Sequence, residues 1–269
     1  MQNEIINSLR VEKLELEETK LQQAKRLILE TSTFLKKYLE KTPCKTYVLG
    51  LSGGVDSFVA SMLVKQTGIP LVNVSLPYHT QHDIQDVCQS CAIIKPETFL
   101  MHNIGNSVDA TMETIIQNKR FLNNEQLQLI KGNLMARERM NVQYAYAMAY
   151  DGLVLGTDHA TEALIGFYTK FGDGAADIVP LATLTKDIIW KMAELFDAPS
   201  NILNKAPSAG LWEDQTDESE LGIKYDDMIA YLQGKDIKSK VRKKIETRYV
   251  NTRHKRNMPI TINDTWWEN

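Results

Sequence analysis

The chain reads as an α/β protein, a doubly wound, Rossmann-like parallel sheet with helices on both faces. Three observations predict it. Short apolar runs, Tyr47–Leu51, Ile69–Pro77, Thr98–His102 and Gly152–Thr157, recur between longer stretches of helical spacing. Strands alternating with helices of this length build parallel sheets through right-handed crossovers. The runs are apolar almost throughout, as strands buried on both faces are. In addition, the first run ends in a glycine turn that opens directly into a helix.

That turn, Ser52-Gly53-Gly54-Val55-Asp56-Ser57, is the feature the rest is arranged around. Phe58, Met62 and Leu63 continue at helical spacing, so the segment is strand, turn, helix. The amides of a helix's first turn lack intrahelical partners, and the helix dipole favours an anion there. Gly53 and Gly54 permit positive φ and close approach of a phosphate to the backbone, while Ser52 and Ser57 add hydroxyl donors. Asp56 repels phosphate directly but suits a divalent cation bound to it. The sequence lacks the lysine of G-x-x-x-x-G-K-[ST] and is not G-x-G-x-x-G. A plain connecting turn is the weaker reading, because it leaves the serines and the aspartate unexplained.

A length of 269 residues suffices for one domain with a substantial core, with residues 1–41 as N-terminal helices and 42–269 as the α/β core with C-terminal helices. In the N-terminal segment, Leu21, Ala24, Leu27 and Ile28, then Phe34, Leu35 and Tyr38, mark apolar faces. A net charge of −3 and 24% charged residues argue against nucleic acid as the main partner. The basic run Lys235–Arg256 is interleaved with Val241, Ile245 and Tyr249, as in an amphipathic helix with a solvated basic face. No apolar run is long enough to span a membrane and the N-terminus is charged, so a cytoplasmic protein is expected. Cys88 and Cys91 form C-x-x-C on an expected amphipathic helix; with Cys44 the one further cysteine, buried thiols are favoured over zinc.

Further chemistry is expected at Thr157-Asp158-His159-Ala160-Thr161-Glu162, which begins a helix at a strand's carboxyl end. Ligands of doubly wound sheets bind there, so Glu162 becomes a second metal carboxylate beside Asp56. His159 is the weaker choice, since a lone histidine usually satisfies local hydrogen bonds. Gly166–Asp177 interleaves glycines, aromatics and charges, a composition for closing over a flat ring or for a simple connector. Lys186 opens a helix and Ser208 lies in an acidic loop; taken alone, each reads as a surface residue.

These motifs together resemble ammonia-dependent NAD+ synthetase, of the ATP pyrophosphatase loop superfamily with the adenine nucleotide alpha hydrolase-like fold. GLSGGVDS, KGNLMARERMNVQYA, GLVLGTDHATEALIGFYTKFGDGAADIVPL, APSAGLWEDQTDESELGIKYDDM and HKR occur in the family's order. The resemblance implies that deamido-NAD+, ATP and ammonia become NAD+, AMP and pyrophosphate through an acyl-adenylate, with Mg2+. It implies ATP binding by Gly50, Leu51, Ser52, Gly53, Gly54, Val55, Asp56, Ser57, Thr157, Lys186 and Ser208, with Mg2+ on Asp56 and Glu162. It places deamido-NAD+ against Asn133, Arg137, Tyr144, Phe167, Lys170, Asp177, His254 and Lys255. Catalysis is expected from Asp56, Lys186 and Asp173, the last binding and deprotonating ammonium. The family is a homodimer, to whose substrate site Phe34 and Tyr38 resemble contributing aromatics.

The sequence departs from the family at Val55, where many members carry Gln, and at Ser75, before Leu76-Pro77, where several have an Arg near ATP. Ser-Ala-Gly-Leu-Trp replaces Thr-Ala-Asp-Leu, with Ser208 keeping the hydroxyl. No amidase domain accompanies the motifs, so ammonia is expected from solution or a partner. The alternatives are another ATP pyrophosphatase, such as a tRNA-thiolating or GMP-forming relative, and a nucleotide sensor without turnover.

Overall fold

The computed structural model describes residues 1–13, 15, 18–80, 84–119, 122–205 and 217–266. In chain order these form α1 (Gln2–Ser8), α2 (Lys20–Leu39), β1 (Thr46–Gly50), α3 (Val55–Lys65), β2 (Leu71–Ser75), α4 (Ile84–Ile94), β3 (Thr98–Met101) and α5 (Gly105–Asn118). There follow α6 (Asn124–Ala149), β4 (Gly152–Val154), α7 (Ala160–Ile165), α8 (Lys186–Leu195), α9 (Ser200–Leu203), α10 (Asp217–Leu221), α11 (Tyr225–Leu232) and α12 (Ser239–Asn251). A 3-10 turn, Arg253–Lys255, succeeds α12.

The four strands are parallel in the order β3-β2-β1-β4. Alternation along β1 separates the two layers. Tyr47 and Leu49 pack with α2, α3 and α8, while Val48 joins Val72, Val74 and Val154 against α5 and α6. Every residue of β2 is buried, which accounts for its unbroken apolar character apart from Asn73 and Ser75. The doubly wound expectation is met. A separate apolar cluster unites α1, α7, α11 and α12 through Ile5, Leu164, Met228 and Ile245.

Several boundaries differ from expectation for local reasons. The second strand stops short of Ile69–Pro77, because Pro70 and Pro77 flank it and proline cannot donate to a ladder. The long helix α6 opens at Asn124, where Asn123 and Gln126 form a reciprocal capping box. Beyond Val154 the fourth strand continues only as a bridge from Leu155 to Ile178. On α2, Ala24, Leu27 and Leu35 face the core, but Leu21 is exposed, as are Phe34 and Tyr38. The thiols also need correction: Cys88 is exposed and Cys91 half-buried, its thiol pushed up to about 11 by burial and by Cys88.

The chain leaves β1 for β2 on one side and reaches β4 on the other. The carboxyl ends of β1 and β4 therefore flank the topological switch point, where open sheets present their binding crevice.

Candidate active site

Two groups of polar side chains meet at this crevice. The first is built on the turn after β1. Gly53 adopts φ +79°, a left-handed conformation that a side chain would strain, and a Cβ there would lie 2.9 Å from Asp86 Cβ. Gly54 starts α3 without a side-chain cap, so the anion-binding end of that helix is not closed by its own sequence. Ser52 and Ser57 brace the turn: their hydroxyls lie 3.1 Å apart, the Gly54 amide donates to Ser52 Oγ at 3.2 Å, and Ser57 Oγ donates to the Gly54 carbonyl at 3.0 Å. Upstream, the Gly50 amide donates to Gln143 Oε1 at 2.7 Å and the Leu51 amide to the Val74 carbonyl at 2.9 Å. Val55 turns into the core.

Asp56, on the first turn of α3, receives Lys186 Nζ at 2.8 and 2.7 Å on its two carboxylate oxygens. The lysine expected at the surface is therefore buried, 1% exposed, at the start of α8. Its amide donates to Thr161 Oγ1 at 3.1 Å, which ties α8 to α7. Burial alone would raise the Asp56 carboxyl, but the Lys186 ammonium outweighs it and holds the group below the usual carboxylate range.

His159 is wholly buried and caps α7. Its Nδ1 accepts the Glu162 amide at 3.4 Å while Glu162 Oε2 accepts the His159 amide at 3.3 Å. Its Nε2 lies 3.5 Å from Glu162 Oε2, 3.8 Å from Asp56 Oδ1 and 3.4 Å from Lys186 Nζ. Burial, reinforced by Lys186, lowers the imidazole to about 3, so the ring is neutral. Local hydrogen bonding was the expectation for His159, and it is met, yet the ring also reaches both candidate metal carboxylates. Asp56, His159 and Glu162 bring one donor atom each within 4.8 Å of one another. Thr157 lies just before this helix and stays partly accessible.

The second group surrounds the Gly166–Asp177 segment. From α6, Asn133 Oδ1 accepts Thr169 Oγ1 at 2.9 Å, Arg137 donates to the Lys170 carbonyl at 3.4 Å, and Tyr144 donates to Asp177 Oδ1 at 3.5 Å. Asp177 also accepts the Val154 amide at 2.8 Å, fixing the segment to β4. From the C-terminal turn, the carbonyls of His254 and Asn257 accept Lys170 Nζ at 2.5 and 3.0 Å. Lys255 Nζ donates to the carbonyls of Gly166 and Tyr168, both at 2.7 Å. The Phe167 amide donates to the Glu162 carbonyl at 3.1 Å, which joins this group to the first. The eight residues matched to the deamido-NAD+ positions are thus gathered in one region.

Asp173 lies within it, its Oδ1 accepting the Thr169 amide at 2.7 Å. Burial pushes its carboxyl above the usual range, and Asp158 is raised further by burial and by the charges of Asp173 and Asp56. Burial likewise lowers the Lys255 ammonium and the Arg139 guanidinium, which donates to the Leu76 carbonyl at 3.1 Å. Asp158 and Arg139 were missed by the sequence reading although both sit inside its motifs. Only their spacing from Asp56 and Asp173 reveals them, and that spacing is tertiary.

Phe34 and Tyr38 do not join this region. They stack at 6.0 Å on the outside of α2, across the sheet from α6. Ser208 lies outside the described residues.

With this geometry in place, comparison with known proteins is decisive. The NAD synthase family model matches residues 27–259. The chain belongs to the NAD synthase family. It is 41% identical to the NH(3)-dependent NAD(+) synthetase of Halalkalibacterium halodurans over the full length of both chains. The enzyme of that name from Bacillus subtilis is 40% identical, over 87% of this chain and 90% of its own. Among solved structures, NMN synthetase from Francisella tularensis superposes with a TM-score of 0.82 at 37% identity, covering 90% of this chain and 99% of that one. NAD+ synthetase from Burkholderia pseudomallei gives 0.79 at 31% identity, over 96% of each.

Proposed function

We infer that this chain is an amide-forming ligase that converts deamido-NAD+, ammonia and ATP into NAD+, AMP and pyrophosphate. The observation that carries this reading is the joining of two sites by the Asp158–Phe167 segment: a glycine turn with Asp56, Lys186 and Glu162, and a buried polar cluster with Asp173 and Lys255.

The residues fit a bound magnesium ion. Two hard carboxylates converge, and Lys186 already places a positive charge against one of them. Asp56 and Glu162 would hold Mg2+, which when bound neutralises phosphate charge as a Lewis acid. The remaining steps belong to the chain. The Ser52–Ser57 turn and the N-terminus of α3 bind the β- and γ-phosphates, and the pyridine carboxylate attacks the α-phosphorus. The α–β P–O bond breaks and pyrophosphate leaves, its charge met by backbone amides and by Lys186. Burial makes the Asp173 carboxylate more basic, so in its ionised form it is a better proton acceptor than a free carboxylate and takes a proton from ammonium. The ammonia nitrogen attacks the acyl-adenylate carbonyl, sheds a proton, and the C–O bond to AMP breaks. No covalent enzyme intermediate is needed; positioning and charge stabilisation carry the rate.

A second chain of the same kind completes this reading, because Phe34 and Tyr38 are exposed on α2, on the other side of the sheet from α6. Likeness to an NMN synthetase favours one alternative acceptor, the acid mononucleotide in place of the dinucleotide. Incubation with ATP, Mg2+ and ammonium, with each acid nucleotide in turn, decides between them. The amide and AMP are expected together from deamido-NAD+ and absent with Asp56→Ala. A preference for the mononucleotide selects the alternative, and ADP as product overturns α–β cleavage.

A further inference from the structure

A second carboxylate stands beside the phosphate turn and takes no part in the proposed reaction. Asp86, in the first turn of α4, packs against Gly53, where an added Cβ would lie 2.9 Å from Asp86 Cβ and 3.3 Å from the Val87 amide nitrogen. Val87 is wholly buried in the core cluster that also holds Val55 and Phe58. The start of α4 is therefore the wall on which the glycine turn rests. From that wall the Asp86 carboxylate bonds across to α9 and the residue just beyond it. Asn201 Nδ2 donates to Oδ1 at 2.5 Å and Lys205 Nζ to Oδ2 at 2.8 Å. α9 is anchored in turn by Ile202, buried in the same core cluster. Burial alone would raise the Asp86 carboxyl, but the bonds from Lys205 and Asn201 hold it below the usual range, so it is ionised at neutral pH.

Two needs conflict here. Joining α4 to α9 takes an acid between an amide and an ammonium, yet a bare negative charge beside Gly53 repels a triphosphate. The lysine and aspartate side chains are only 31% and 20% exposed, so water and salt screen that charge in part. We propose that Lys205 is a positioning residue for ATP that acts through Asp86: it cancels the charge of the acid that holds α4 against the phosphate turn, so the turn keeps its shape without repelling the phosphates. The proposal rests on the reading of Ser52–Ser57 as the phosphate site. Direct bonding of Lys205 to phosphate would make Asp86 incidental, and it predicts a different pattern of binding.

Lys205→Met, Asp86→Asn and the double variant tell the two apart. Methionine keeps the aliphatic stem without the charge; asparagine keeps the packing on Gly53 without the charge. Binding of α,β-methylene-ATP with Mg2+ is measured by calorimetry from about 0.05 to 0.5 M salt, with Tm alongside. Lys205→Met bares Asp86 and should weaken binding ~10-fold at the low end, the ratio to wild type narrowing as salt rises. Asp86→Asn should bind as tightly as wild type or more so. The double variant should return to within ~2-fold of wild type. Unchanged affinity in Lys205→Met, a loss indifferent to salt, or a double variant as weak as Lys205→Met would each overturn the proposal, the last because the lysine would then bond the nucleotide itself. Asp86→Asn as weak as Lys205→Met, with Tm falling in step, would reduce the pair to a structural staple and overturn it too. Wild type that binds the analogue but amidates neither nucleotide refutes the reaction alone. Wild type that binds no nucleotide refutes the phosphate reading of the turn, and the proposal with it.

Discussion

The two acidic clusters of the crevice handle buried charge in opposite ways. Around Asp56, a carboxylate and an ammonium meet at 2.7 Å and the acid is held in its charged form. Around Asp173, two carboxyls crowd each other, Lys255 spends its donors on backbone carbonyls, and both acids are raised. The first arrangement stores a fixed negative charge, as cation binding requires. The second keeps protons close at hand, as proton transfer requires. Burial opposes charge in both, and the difference lies in direct contact: Lys186 bonds Asp56, whereas Lys255 and Arg139 act on Asp173 only through longer-range charge.

Removing the acid of the first cluster gives the largest effect. Asp56→Ala should abolish AMP formation, a loss of ~10³-fold or more, and strand Lys186 in the interior. Breaking one side of a buried pair costs about 3–5 kcal/mol, read as a lowered denaturation midpoint. Asp56→Ala with Lys186→Met should recover much of that stability and none of the turnover. Recovery of activity in the double variant would show that the pair is structural.

Asp173→Asn tests the second cluster, and its stability effect should have the opposite sign. Asparagine keeps the acceptor for the Thr169 amide but cannot take a proton. The ammonium dependence of kcat/KM should weaken by ~10²-fold while that of MgATP is little altered. Folded-state values of Asp173 and Asp158 lie above the unfolded value of 3.8, so their contribution is present below that pH and lost as pH rises through the folded values. Asp173→Asn should therefore raise Tm at neutral pH, the gain fading toward acid. Asp56 lies below 3.8, so its contribution is present above that value and lost as pH falls through the folded one. Thermal scans against pH that showed both variants shifting the same way would break the contrast.

The first cluster was partly legible in sequence and the second was not. Ser52–Ser57 announces itself because turn, donors and carboxylate are contiguous, and strand periodicity places it at the crevice. Lys186 lies 130 residues from Asp56, so local pattern shows only a lysine opening a helix. His159 was read as locally satisfied, which the cap bears out, but its second partnership depends on how α7 docks on α8. Raised acids such as Asp158 and Asp173 have no sequence signature, since desolvation is set by what packs around them. Asp173 entered as a hypothesis for ammonium; only geometry adds Asp158 and Arg139.

A smaller effect is expected from Gly53→Ala, which probes the ATP side without touching charge. The residue's φ of +79° disfavours a side chain by roughly 1–2 kcal/mol, and its Cβ would press on Asp86, 2.9 Å from that residue's Cβ. The KM for MgATP should rise several-fold, with the ammonium response unchanged. Equal changes in both would mean that the turn and the Asp173 cluster move as one unit.

The smallest effect belongs to Lys45→Ala, which removes an ion pair of the same chemical type in water. Lys45 meets Asp151 at 3.5 Å with both side chains well exposed, so the solvent supplies most of what the partner does. Its loss should change stability by under ~0.5 kcal/mol, and high salt should erase even that. Set beside Asp56→Ala, the contrast isolates burial as the variable: one carboxylate–amine contact is nearly dispensable, and another leaves a stranded charge. A large, salt-insensitive loss in Lys45→Ala would mean that pairing itself, rather than desolvation, governs the energetics of the Asp56 cluster.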